Sequence, residues 1–203
     1  MKNPESFIFS TASKVTRTDR ERLHQHGAAL LWFTGLSGSG KTTLTQAVEE
    51  KLHQLNYSTM ILDGDNVRTG LCNDLDFSAG GRSENIRRIG EVAKLFIDAG
   101  VFTLAAFIAP MQKDRDFVRS ILGENDFFEI YCKCSLDMCE TRDVKGIYKR
   151  ARAGQIKNFT GIDSIYEKPV KPDLILDTEI ETVQESLVKI FQFLRDKNIL
   201  KNT

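Results

Sequence analysis

The chain has 203 residues, and its 28 Lys plus Arg balance 28 Asp plus Glu, so no net field draws it to nucleic acid or an anionic membrane. Hydrophobic and charged fractions of 41% and 28% belong to an ordinary globular chain, long enough for one well-buried α/β domain and short for two. No apolar run approaches the roughly 20 residues of a transmembrane helix, and MKNPESFIFSTASKVTRTDRERLHQH lacks the continuous apolar stretch of a secretion signal.

Residues 1–27 are charged and weakly patterned, and are expected to form an arm that orders against a partner. The main domain is expected over 28–203. Its first apolar run, AALLWFT at 28–34, reads as a buried strand. Leu44, Ala47, Val48, Leu52 and Leu55 then recur at helical spacing. A short strand is expected over 58–62, ending at Asp63-Gly64-Asp65. Ile86, Ile89, Ala93, Phe96 and Ile97 mark a second helix, stopped by Gly100. Strands follow over 101–108 and 127–134, with a helix over 113–122 between them. The stretch 143–163, DVKGIYKRARAGQIKNFTGID, is basic and glycine-containing, with little apolar periodicity. A last strand over 173–177 and an amphipathic helix over 183–194 close the chain.

Repeated strand–helix units predict an α/β fold, a parallel sheet of about five strands with helices on both faces. Cys132 and Cys134 alternate along an apolar run, and no CxxC pair joins them to Cys72 or Cys139. Reduced, buried thiols in a reducing cytoplasm are the expectation.

Between the first strand and first helix stands Gly35-Leu36-Ser37-Gly38-Ser39-Gly40-Lys41-Thr42, followed by Thr43. This is the GxxxxGK[ST] phosphate loop of P-loop nucleotide-binding proteins. Its glycines let backbone N–H groups turn inward as an anion nest, and the helix behind points its positive end at the same spot. Gly35, Ser37, Gly38, Ser39, Gly40, Lys41, Thr42 and Thr43 are therefore the candidate ATP-binding residues. Lys41 is expected to reach the β/γ-phosphates, and the Thr42 hydroxyl to ligate Mg²⁺.

A phosphate loop does not by itself separate a kinase from a switch or a motor. The second strand end does. The helix carries the chain about 20 Å away at about 1.5 Å per residue. The strand returns it about 20 Å at about 3.3 Å per residue. Asp63 and Asp65 should thus arrive beside the phosphate loop, at the carboxyl ends of the strands where such sheets bind ligands. A carboxylate there can take a proton from an acceptor hydroxyl or hold Mg²⁺ through water. Asp65 is the first candidate for both roles, with Asp63 supporting. Arg68, Arg82 and Asn85 lie just beyond, and paired guanidinium donors suit tetrahedral oxyanions.

These segments together resemble the adenylylsulfate kinases. FTGLSGSGKTTL, LDGDNVRTGLCNDL, ENIRRIGEVAKLF, FIAP, RDVKGIYKRARAGQIKNFTGID and YEKP are similar to that family's motifs, in the same order. The resemblance implies a P-loop NTPase-type fold with a mobile lid over about 143–161. It implies Mg²⁺-dependent transfer of the ATP γ-phosphoryl group to the 3′-hydroxyl of adenosine 5′-phosphosulfate, a step of sulfate activation. By the same resemblance Asp65 lies next to the accepting hydroxyl. Arg68, Arg82 and Asn85 hold the phosphosulfate and ribose, Phe77 and Phe159 sandwich the substrate adenine, and Ile108 and Lys145 add contacts. It also implies a homodimer.

Two positions depart from the family pattern. Ala109 stands where serine is usual, which removes any hydroxyl for a phosphoserine route. Asp76 replaces a usual glycine before Phe77. Two rival readings follow: a kinase for another nucleotide conjugate reusing the pocket, and a silent nucleotide-binding subunit.

Overall fold

A computed structural model describes residues 9 and 11–200. The elements run, in order, α1 (Arg17–His24), β1 (Leu30–Thr34), α2 (Lys41–Gln54), β2 (Thr59–Asp63), α3 (Gly64–Val67), α4 (Ala79–Asp98), β3 (Phe102–Ala106), α5 (Gln112–Ile121), β4 (Phe127–Lys133), α6 (Leu136–Arg142), α7 (Ile147–Arg152), β5 (Leu174–Asp177) and α8 (Val183–Asp196). The strands form one all-parallel sheet in the order β2-β3-β1-β4-β5. From β1 the chain winds to one side to lay down β2 and β3, then to the other for β4 and β5. A crevice at the carboxyl end of β1 is the consequence.

β1 is buried along its whole length because helices cover both of its faces. Its side chains alternate between two cores. Leu31 and Phe33 pack with Leu44, Val48 and Leu52 of α2 and Ile190 of α8. Leu30 and Trp32 face Ile86, Ile89 and Ala93 of α4 and Val118 of α5. Each fully buried Leu or Phe contributes roughly 1.5–3 kcal/mol to folding, so the central strand is a rigid base for whatever follows it. Among the described residues no helix is long and apolar enough to cross a membrane.

The stretch read as an arm contains α1, which lies on this chain's own domain; residues 1–8 and 10 are outside the described residues. Thr16 and Asp19 form a capping box at its start. Arg17 grips both carboxylate oxygens of Asp126 at 2.7 and 2.8 Å and donates to the Ala28 carbonyl at 2.8 Å.

Candidate active site

The phosphate loop joins β1 to α2. Gly38 and Gly40 take φ of 76° and 88°, which side chains resist, and a Cβ on Gly35 would sit 2.6 Å from the Cys132 carbonyl oxygen. Gly35→Ala is therefore expected to cost about 1–3 kcal/mol, measured as a lower Tm together with weaker nucleotide binding. No side chain caps α2, whose N-cap is Gly40, whereas Thr16, Asp63, Ser78, Ser135 and Thr182 cap α1, α3, α4, α6 and α8. The first N–H groups of α2 are thus left to meet a ligand.

Lys41 is buried, and its Nζ donates to the carbonyls of Gly35 at 2.9 Å and Leu36 at 2.7 Å. Burial pushes its pKa down to about 8. A bound polyphosphate would favour the charged form again. The loop is braced from outside: Tyr148 Oη donates to the Ser37 carbonyl at 2.9 Å, and Thr178 Oγ1 to the Ser39 carbonyl at 2.9 Å. Arg142 in turn donates to the Thr178 carbonyl at 2.6 Å.

Sheet register sets the opposite wall. Asp63 pairs with Ala106, and Ala106 with Phe33, so the β2 tip stands level with the end of β1. Asp63 Oδ2 accepts from Thr42 Oγ1 at 2.9 Å, and Oδ1 accepts from the Asp65 N–H at 3.0 Å. Of the two aspartates, Asp63 touches the phosphate loop. Asp65 is exposed, and its carboxylate forms an ion pair with Lys145 of the basic segment.

Arg68, Phe77, Arg82, Asn85, Ile108, Lys145 and Phe159 border one cavity of about 1000 Å³, and Lys41, Thr42, Asp63 and Asp65 border the same space. Ser37, Gly38, Gly40 and Thr43 also reach it; Gly35 and Ser39 are set back behind them. Phe77 is 60% exposed, with the Arg68 guanidinium 4.4 Å from its ring centroid. Arg68 is fixed by the carbonyls of Leu75 and Asp76 at 3.0 and 3.3 Å. Asn85 is buried, and its Oδ1 has no hydrogen-bond partner among the described residues. Arg82 donates to Thr160 Oγ1, Ser164 Oγ and the Asn158 carbonyl, so the far end of the basic segment rests on α4.

That segment is not structureless. Asp143 accepts from the N–H groups of Tyr148 and Lys149 at 3.0 Å each, starting α7, and Phe159 meets Tyr148 edge-on at 5.0 Å. Tyr148, Arg142 and Thr178 are cavity residues that the sequence reading missed. A lone tyrosine inside a basic stretch was the available signal for the first. Arg142 opens the motif RDVKGIYKRARAGQIKNFTGID, whereas nothing in the local pattern marks Thr178.

Of the two departures, Asp76 has a local explanation, and nothing in the structure explains the alanine at 109. Asp76 accepts from Ser78 N–H at 3.1 Å and Ser78 Oγ at 2.6 Å, and Ser78 caps α4. Its backbone is not in the left-handed region, so the position does not require glycine. Ala109 is buried with φ of 42°.

The adenylylsulphate kinase family model matches residues 27–177. An adenylyl-sulfate kinase of Oceanobacillus iheyensis is 54% identical, spanning 98% of this chain and 100% of its own. The corresponding protein of Acaryochloris marina is 52% identical, over 94% of this chain and 93% of its own. The structure of the Mycobacterium tuberculosis APS kinase CysC in complex with AMPPNP and APS matches with a TM-score of 0.79 at 43% identity. That match covers 84% of this chain and 99% of the other.

Proposed function

The chain belongs to the adenylylsulphate kinase family, and from that we infer that it transfers the γ-phosphoryl group of ATP to the 3′-hydroxyl of adenosine 5′-phosphosulfate. The product is 3′-phosphoadenylylsulfate. One observation carries the reading beyond family membership: the phosphate loop, the acidic tip of β2 and a cluster of arginine, asparagine and aromatic side chains share one cavity. Donor and acceptor can therefore meet without leaving the protein.

In the proposed mechanism, Lys41 and the open N–H groups of α2 hold the β- and γ-phosphates. Asp65 accepts the proton of the attacking hydroxyl. Arg68, Arg82 and Asn85 bind the phosphosulfate and ribose, Ile108 and Lys145 add contacts, and Phe77 and Phe159 enclose the base. Arg82 then exchanges its contacts with Thr160 and Ser164 for the substrate. The segment 143–161 acts as the lid and keeps water from competing with the hydroxyl.

The donor set suits Mg²⁺. Thr42 spends its hydroxyl proton on Asp63, leaving lone pairs for a cation, and Mg²⁺ needs only one or two carboxylates besides water and phosphate. When bound, it would sit on Thr42 with Asp63 or Asp65 behind it through water, neutralising charge on the phosphates. We further propose a homodimer, from the family resemblance, and a cytoplasmic setting, which suits four free, buried cysteines. Light scattering after size exclusion tests the first.

The deciding experiment supplies ATP, Mg²⁺ and adenylylsulfate and follows ADP release with product identification. Transfer to a different nucleotide conjugate but not to adenylylsulfate would overturn the acceptor assignment; ATP binding without any transfer would make the chain a silent subunit. Phe77→Ala should raise the KM for adenylylsulfate about tenfold, the scale of one lost base–aromatic stack at ~1–3 kcal/mol, with the KM for ATP within about twofold. A change confined to ATP would move Phe77 to the donor side.

A further inference from the structure

Beyond the cavity wall lies Arg115, in the first turn of α5, 1% exposed and not among the cavity residues. It spends its donors on three separate parts of the chain. Nε binds Glu129 Oε1 of β4 at 2.6 Å. Nη1 binds the Ala109 carbonyl at 2.6 Å. Nη2 binds the Glu167 carbonyl at 2.8 Å and, within α5, Gln112 Oε1 at 2.7 Å. Taking a guanidinium and a carboxylate out of water is costly, so a buried pair of this kind is weak evidence of stabilisation in its own right. What it does here is fix the relative positions of its partners.

One of those partners, Ala109, lines the cavity, and another, Glu167, closes the return from the basic segment beside it. The turn after β3 cannot continue a sheet ladder, because Ala109 has φ of 42° and Pro110 has no N–H. Its carbonyls are instead taken one by one: Ile108 by Thr34 Oγ1 at 2.6 Å, Ala109 by Arg115, and Pro110 by the Glu167 N–H at 2.8 Å. A left-handed alanine persists only where its surroundings over-determine it. Ile108, Ala109 and Pro110 form part of the cavity surface. Glu167 ends the return from the basic segment, three residues after Ser164, which contacts Arg82. It also holds the start of α5, its Oε2 accepting from the Gln112 N–H at 2.6 Å.

We propose that Arg115 is a positioning residue for the acceptor half of the site: it holds Ala109 in its left-handed conformation and locks the Ile108–Pro110 floor to the base of the lid. This rests on the reading of the cavity as the adenylylsulfate site.

The test is Arg115→Lys, which keeps a positive charge for Glu129 but has a single nitrogen in place of a fork and does not span all three partners. The KM for adenylylsulfate should rise by about tenfold to a hundredfold, as for a reacting group displaced by about an ångström, while the KM for ATP stays within about twofold. Adding Ala109→Gly in the same chain should recover most of that loss, because glycine holds a positive φ without help. An unchanged KM for adenylylsulfate with only a lower Tm would overturn the proposal and leave Arg115 a structural residue. A defect that Ala109→Gly leaves in place would overturn it too. If Arg115→Lys does not fold, Glu129→Gln is read in the same way, since it weakens the grip while leaving Arg115 present. Absence of transfer in the unmodified protein would instead sink the parent reading.

Discussion

Lys41→Ala is expected to yield a folded protein whose phosphoryl transfer is down by about a thousandfold, the scale of losing one preorganised charged donor at a transition state. The ammonium lies at the mouth of α2, where the proposed mechanism places the γ-phosphoryl group and the charge it shares between donor and acceptor. Nothing else in the loop replaces it: Ser37, Gly38 and Gly40 offer backbone N–H groups, and Arg142 is engaged with the Thr178 carbonyl. Stability gives the control. Lys41 is buried among the carbonyls of Gly35 and Leu36, with burial working against its charge. Removing it relieves that desolvation at neutral pH, at the cost of two hydrogen bonds, so Tm should move by only a few degrees, about 1 kcal/mol per 2–4 °C. Steady-state kinetics and thermal unfolding on the same sample decide the matter. Loss of activity with a collapsed Tm would mean misfolding, and activity within tenfold of the parent would remove Lys41 from the mechanism.

The features that survive from sequence to structure are those written in neighbouring residues. The three inner strands β1, β3 and β4 were legible because strands buried on both faces read as continuous apolar runs, LLWFT at β1 being the plainest. The partly exposed edge strands β2 and β5 showed only as short apolar stretches ending in aspartate. The loop before α2 was legible because glycine spacing and Lys41 are local chemistry. Short or polar helices were not. α1 buries no residue and so has no apolar stripe, although its Thr16–Asp19 capping box was there to be read. α4 begins at Ala79, seven residues before its first apolar marker Ile86, since its opening turns contain Gly80, Gly81 and Arg82. Taken alone, Phe77 and Phe159 look like core residues. Phe77 is exposed, and Phe159 only partly buried against Tyr148. Arg88 looks like a solvated side chain, yet it pairs with Asp74 at 2.7 and 2.8 Å and holds the Leu71 carbonyl. Least legible was the division of labour between the aspartates. Helix and strand lengths bring both to the loop, but which one turns inward is set by the register of β2 on β3 and by the start of α3.

That division gives the second large effect. Asp65→Asn should lower kcat by about 10²–10⁴, the usual contribution of a positioned general base, while ATP affinity stays near that of the parent. The separation follows from contacts: Asp63, not Asp65, holds Thr42, so an amide at 65 leaves the phosphate loop as it is. Asp65 instead forms an ion pair with Lys145 of the basic segment, and both border the same cavity. Asparagine preserves size and hydrogen-bonding reach but cannot accept the proton. Asp63→Asn makes the complementary disturbance, weakening the acceptor for Thr42 Oγ1, and should show first in the Mg²⁺ and ATP dependence. Single-turnover rates with saturating ATP, beside direct titration of a nucleotide analogue, separate the two variants. If Asp65→Asn turns over at the parental rate and Asp63→Asn alone fails, the proton must leave by another route, and the exposed carboxylate is only a latch for Lys145.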